Sequence, residues 1–161
     1  ILSYKNNRQN RTFFLQSAHF IVVIFLSQNR SQYRKLTPEE ESVIVHKGTE
    51  APFTGKFYAF WDKGTYVCRR CGSPLYRSEN KFEAECGWPS FDEEIPGAVV
   101  KKPDPDGRRT EISCAKCGAH LGHVFIGEGF TQKNTRHCVN SISMDFIPDK
   151  REKQPIPQQT K

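Results

Sequence analysis

Two short segments of one design, Cys68-Arg69-Arg70-Cys71-Gly72 and Cys114-Ala115-Lys116-Cys117-Gly118, constrain this chain more than any other feature of it. Each places two thiols one tight turn apart, and the glycine that follows lets the backbone fold back until amides point at sulfur. Four thiolates in two such pairs satisfy the tetrahedral demand of a closed structural zinc site. They predict one zinc ion per chain, held by Cys68, Cys71, Cys114 and Cys117. Two disulfides, or one redox-active pair, are the alternative, but a redox pair accounts for one knuckle and not its twin. The separation of Cys71 from Cys114 exceeds that of a compact zinc finger, so the metal is expected to staple two distant hairpins of a small core.

A chain of 161 residues has room for one domain with short appendages. Plentiful glycine, proline and aromatics beside scarce methionine and leucine favour short strands and turns, hence a mostly β fold. Apolar or aromatic segments at residues 55–60, 64–67, 98–100, 111–113 and 123–126 read as antiparallel strands, and residues 141–147 as the closing one. Pro103-Asp104-Pro105-Asp106-Gly107 reads as a turn between two of them. Ahead of the strands, Thr37 can cap a short helix, with Pro38 at its first position and Glu40 completing a capping box. That helix is expected to run to about His46 and to stop at Gly48.

The ends read differently. Residues 1–35 hold six Lys and Arg and no acid, whereas the remaining 18 Lys and Arg balance 18 Asp and Glu. A neutral body offers no electrostatic footprint for phosphate backbones, so no nucleic-acid partner is expected. The apolar run at residues 13–26 is short for an unaided membrane span and suits the core of a signal peptide. If residues 5–27 act as a signal, the protein is exported to a periplasm or membrane-anchored, and otherwise it is cytoplasmic. Membrane contact is expected only through residues 12–27. Residues 149–161, charged and rich in glutamine and proline, read as a disordered tail.

Cys86 and Cys138 belong to neither knuckle and are the candidates for chemistry. Cys138 lies in Arg136-His137-Cys138-Val139-Asn140, directly before the expected closing strand. There the cation of Arg136, and a protonated histidine, would favour the thiolate. Cys86 lies in Cys86-Gly87-Trp88-Pro89-Ser90-Phe91, an irregular loop in which Trp88 reads either as core filler or as a wall for a small apolar group, with Phe91 nearby. His120 and His123 follow a knuckle three residues apart. Four thiolates already saturate the metal, so acid–base work suits them better, His123 above all, with a silent backbone-bonded role as the alternative.

Taken together, Cys68-x-x-Cys71, Cys86-Gly-Trp-Pro-Ser-Phe91, Cys114-x-x-Cys117-Gly-Ala-His-Leu-Gly-His-Val-Phe125 and Arg136-His-Cys-Val-Asn-Ser141 resemble the methionine-R-sulfoxide reductases, in order and in spacing. The resemblance covers residues 36–148. It implies two antiparallel sheets, forming a small sandwich or barrel-like domain, with the short helix at the N-terminal side and the zinc site at one end. It also implies that Cys138 is the nucleophile and Cys86 the resolving thiol, that Trp88 packs on the substrate methyl, and that His120, His123, Arg136 and Asn140 line the pocket. The implied substrates are oxidised proteins carrying methionine-R-sulfoxide, the implied reductant is thioredoxin-like, and the chain is expected to be a monomer. Many members place an acid two positions after the Phe of His-Val-Phe, where this chain has Gly127, followed by Glu128. Two other classes compete: a non-catalytic zinc-ribbon binding module, which gives no role to Cys86, Cys138 or Trp88, and a thiol peroxidase or disulfide exchanger using the same two cysteines.

Overall fold

The computed structural model describes residues 33–150, Asp106 excepted. The chain divides into two units, Ile1–Arg34 and Lys35–Lys161, and every element below belongs to the second. The apolar run at 13–26 and most of the expected tail lie outside the described residues. Among those residues no helix is long and apolar enough to cross a membrane.

Helix α1 (Pro38–Ile44) begins as its sequence dictates. The Thr37 hydroxyl accepts the Glu40 amide at 3.2 Å while the Glu40 carboxylate accepts the Thr37 amide at 2.8 Å, a closed capping box. The helix ends two residues short of the expected His46, because Lys47 takes a left-handed φ of 60° and the Gly48 amide closes back on the Ser42 carbonyl at 2.9 Å. Val43 and Ile44 are buried, and Arg69 locks the helix from outside by bonding Glu40 at 2.7 Å and Asp145 at 3.0 Å.

Among the described residues nine strands make two antiparallel sheets and no closed barrel. Strands β1 (Gly64–Cys68), β2 (Pro74–Arg77) and β9 (Met144–Pro148) form one sheet in the order β2-β1-β9. The other holds β3 (Lys81–Phe82), β4 (Ser90–Phe91), β5 (Val99–Pro103), β6 (Thr110–Cys114), β7 (His120–Ile126) and β8 (Thr135–Val139), in the order β3-β4-β8-β7-β6-β5. Between the sheets lies an aromatic core: Tyr76 stacks on Phe91 at 4.4 Å, and Tyr66 meets Phe91, Phe57 and Phe146 edge-on. Their inward faces carry fully buried rings, each worth roughly 1.5–3 kcal/mol of transfer free energy.

Two expectations change. Residues 55–60 form a turn and not a strand, closed by Tyr58 N to Gly55 O at 3.0 Å; it still delivers Phe57 to the core, which explains the strand-like apolar pattern. The expected closing strand at 141–147 starts only at Met144, because Ser141–Ser143 form a 3-10 turn that carries the chain from one sheet to the other. Cys138, expected just before that closing strand, instead lies inside a strand of its own, β8, which the sequence reading did not foresee. The turn at residues 103–107 stands where expected: Asp104 N bonds Arg109 O, and Gly107 N bonds Asp104 O.

Candidate active site

The knuckles converge from both sheets. Cys68 ends β1 and Cys114 ends β6, and the Sγ atoms of Cys68, Cys71, Cys114 and Cys117 all lie within 4.8 Å of one another. The Cys68–Cys117 and Cys71–Cys114 separations are both 3.6 Å. Tetrahedral Zn–S bonds of about 2.3 Å place sulfurs roughly 3.8 Å apart, so the donor set fits a tetrahedral thiophilic cation such as zinc. Gly72 and Gly118 turn each knuckle with φ of 73° and 70°, the left-handed conformation expected of them.

The second cluster is set by strand register. Directly opposed residues of an antiparallel sheet share a face, so the pairs Ser90↔Cys138, Cys138↔His123 and His123↔Glu111 lay one row of side chains across β4, β8, β7 and β6. Arg136 and Asn140, each two residues from Cys138, share that side of the strand, while His137 and Val139 face the core. His120 and His123, three apart, would point to opposite faces of a regular strand. A bulge at Leu121, where Ser113 opposes His120 but Ile112 opposes Gly122, brings both rings to one side, with centroids 5.7 Å apart.

Cys138 opens into a cavity of about 140 Å³ lined by Thr49, Trp88, Arg109, Gly122, His123, Phe125 and Asn140. Beside it, a cavity of about 300 Å³ is bordered by Lys47, Asp104, His120 and His123. The Cys86 and Cys138 sulfurs stand 3.9 Å apart. Their protons are coupled: the hydrogen bond from Cys138 is the main cause that pushes the Cys86 thiol down to about 5, with Ser90, the Trp88 backbone and the Arg136 cation adding to it against burial. The same bond, and then burial, hold the Cys138 proton well above the ordinary thiol range. The pair thus shares one proton and carries one negative charge between its two sulfurs.

His137 does not assist. It is buried beside Tyr76, whose hydroxyl lies 3.0 Å from its Nδ1, and burial pushes it down to about 4, so it is neutral and faces away from Cys138. Phe91 likewise points into the core against Tyr66 and Tyr76 and does not reach the pocket. Trp88, Asn140 and His123 do reach it. Arg136 lies over the Phe125 ring at 4.5 Å and is held by Glu128 through bonds of 2.6 and 2.9 Å. Glu128 therefore orients the guanidinium and serves neither histidine. Those partners are Glu111, 2.8 Å from His120 Nδ1, and Asp104, 2.9 Å from His123 Nε2. Burial outweighs Glu111 and lowers the His120 pKa.

The sequence reading missed Thr49, Glu50, Asp104, Arg109 and Glu111. For Glu111 a signal existed: two residues after the 103–107 turn comes a strand whose inward apolar neighbour, Ile112, forces Glu111 to the other face.

A family model described as the SelR domain matches residues 36–148. Peptide methionine sulfoxide reductase B2, chloroplastic, of Arabidopsis thaliana is 56% identical over 115 residues, 71% of this chain and 57% of that protein. Peptide methionine sulfoxide reductase B5 of Oryza sativa subsp. japonica is 56% identical over 114 residues, 70% of this chain and 84% of that protein. The chloroplastic B3 protein of the same rice is 57% identical over 114 residues, 70% of this chain and 50% of its own length. This chain thus aligns with only about half the length of some of the relatives it matches, and with most of others. With its knuckles, its paired thiols and a SelR match across nearly all of its described residues, the chain belongs to the SelR family, that of the B-type peptide methionine sulfoxide reductases.

Proposed function

We propose that this chain, through residues 36–148, reduces protein-bound methionine-R-sulfoxide to methionine. The reading rests on one observation above others: the Cys138 thiol lines a small cavity walled by an indole and a histidine, with a second thiol, Cys86, 3.9 Å from it. The cavity suits one methylsulfinyl group, with Trp88 against the methyl. Cys138 gives its proton to the Cys86 thiolate and attacks the sulfoxide sulfur; a proton from His123, whose Nε2 lies 2.9 Å from the Asp104 carboxylate, goes to the oxygen. The sulfur–oxygen bond breaks, methionine leaves, and Cys138 holds the oxygen as sulfenic acid. Cys86 then displaces that oxygen as water and forms a Cys86–Cys138 disulfide. A thioredoxin-like dithiol takes over the disulfide, which restores both thiols. His120, Arg136 and Asn140 orient this set. Zinc, at one per chain through Cys68, Cys71, Cys114 and Cys117, supplies structure only, since four thiolates leave it no open position. The chain acts as a monomer, and residues 5–27 serve as an export or anchoring signal, which a reporter fusion to residues 1–35 would test.

Purified protein with dithiothreitol should reduce the R epimer of an N-acetylated methionine sulfoxide and leave the S epimer. Equal turnover of both epimers, or of peroxide in their place, would overturn the proposal. A non-catalytic zinc-ribbon module would show no turnover at all.

A further inference from the structure

We infer that Glu50 is a positioning residue for the sulfoxide pocket, latching its two walls, Trp88 and Asn140, to each other and to the turn behind the nucleophile strand. The inference rests on the reading above of those two side chains as pocket walls. Glu50 uses every polar group it owns. Its amide donates to Asn140 Oδ1 at 3.1 Å, and its carbonyl accepts the Trp88 indole N–H at 3.1 Å. Its carboxylate accepts the Ser141 amide on Oε1 and the Ile142 amide, at 3.1 Å, on Oε2. Asn140 is fixed in turn by donating its side-chain amide to the Leu121 carbonyl at 3.1 Å, at the bulge that aligns the two histidines.

The two main-chain bonds are available to any residue at this position. They need the segment held in place, and the segment itself has no strand or helix to hold it: Thr49 and residues 51–54 are exposed and lie outside any regular element. Beyond the Phe53 amide, which bonds the Gly87 carbonyl at 2.8 Å at the far end of the segment, the hold at residue 50 comes from the carboxylate, which grips two consecutive amides of the Ser141–Ser143 turn, two residues past β8. Burying a carboxylate is costly, and burial does push the Glu50 carboxyl above its ordinary value against those two amides. No cation offsets it among the bonds that hold it. A costly charge placed where it ties together the indole, the amide and the nucleophile strand has a positional task, because packing alone would be served better by an apolar side chain.

The chain has two tryptophans, so Trp61→Phe leaves Trp88 as the sole reporter. In that background Glu50→Gln is nearly isosteric, but its NH2 must face one of the two backbone amides and loses that bond. Gly55→Ala leaves Glu50 intact and attacks the latch from outside: a Cβ there would lie 2.6 Å from Glu50 Oε1 and 2.3 Å from Ser141 Oγ. Both variants should red-shift Trp88 emission and raise its quenching by acrylamide. Both should raise KM for an N-acetylated methionine-R-sulfoxide about tenfold or more, with a smaller fall in kcat and an unchanged zinc content, because misplaced walls weaken binding before they touch the thiols. Should Glu50→Gln fail to fold, Gly55→Ala carries the test. Unchanged emission in the folded variants, or shifted emission with unchanged KM, would overturn the latch. Emission is read without substrate, so a wild-type chain inert toward both epimers would sink the functional reading and leave the latch standing.

Discussion

Gly122→Ala is the smallest change that should separate the fold from its chemistry. Gly122 lies on β7 between the two histidines, opposite Val139, and its φ is 153°. A Cβ placed there would stand 2.0 Å from the Cys138 carbonyl oxygen and 3.1 Å from the carbonyl carbon. Ordinary contact begins near 3.4 Å, so the strands must part by more than about 1 Å at the nucleophile, a displacement that costs roughly 10²-fold in rate. Backbone cannot yield as a side-chain tip can, and overpacking of this kind destabilises by about 1–3 kcal/mol, or on the order of 5–15 °C in Tm for a domain of this size. Gly127→Ala is the control: its φ of 89° strains any side chain, yet nothing lies within 4 Å of the added methyl. Thermal unfolding should show both variants weakened by comparable amounts. Single-turnover release of methionine should fall about 10²-fold in Gly122→Ala and stay within a few-fold of wild type in Gly127→Ala. If Gly122→Ala melts like wild type, or melts lower but turns over normally, the β7–β8 contact does not set the nucleophile's position.

Elemental analysis should find one zinc per chain, and Cys117→Ser should lose it and unfold at lower temperature; active protein without tightly held metal would refute the assignment. Cys138→Ser should abolish turnover, since a hydroxyl cannot replace a thiolate near neutral pH. Cys86→Ser should still release about one equivalent of methionine per chain, more slowly because the partner that takes the Cys138 proton is gone, while thioredoxin-driven turnover collapses; normal cycling with thioredoxin would remove Cys86 from its resolving role. Alkylation by iodoacetamide follows the thiolate, and the pair loses its first proton with Cys86 pushed down to about 5. The reactivity should therefore be present above that pH, fade below it, and in Cys86→Ser move up toward the ordinary thiol value of roughly 8.5. A profile unchanged by that substitution would mean the two thiols do not share a proton.

The parts of the site that were legible in the sequence are those whose chemistry sits in a local pattern. Two matched Cys-x-x-Cys-Gly turns declare a metal knuckle wherever the fold places them, and two leftover cysteines stand out by elimination. The capping box of α1 is legible for the same reason, since its four residues are contiguous. What escaped are single carboxylates acting across the sequence. Glu50 reaches Ser141 from 91 positions away, Asp104 reaches His123 from 19, and neither lies in a motif that distinguishes it from a solvated acid. The misplacement of Cys138 has another cause. Arg136-His137-Cys138-Val139-Asn140 alternates between site and core only because His137 is buried with Tyr76 and Glu94, and a histidine read as polar hides that alternation.

The metal centre and the thiol pair share no residue, yet β6 makes them one mechanical unit. Cys114 closes β6, and three positions upstream on the same strand Glu111 grips His120. The hairpin returning from Cys117 enters β7 at His120, so the knuckle fixes both the strand that carries the carboxylate and the strand that carries the imidazoles. From β7 the register passes His123 to Cys138 and Cys138 to Ser90, beside which Cys86 lies at 3.5 Å. A staple holding Cys68 and Cys71 against Cys114 and Cys117 thus joins the three-stranded sheet to the strand from which this row is measured. Strand register admits no partial slip: a one-residue shift of β7 would turn His123 to the core and Val124 to the thiols. A metal held by the four cysteines would for that reason set the register of this row as much as add general stability to a small core.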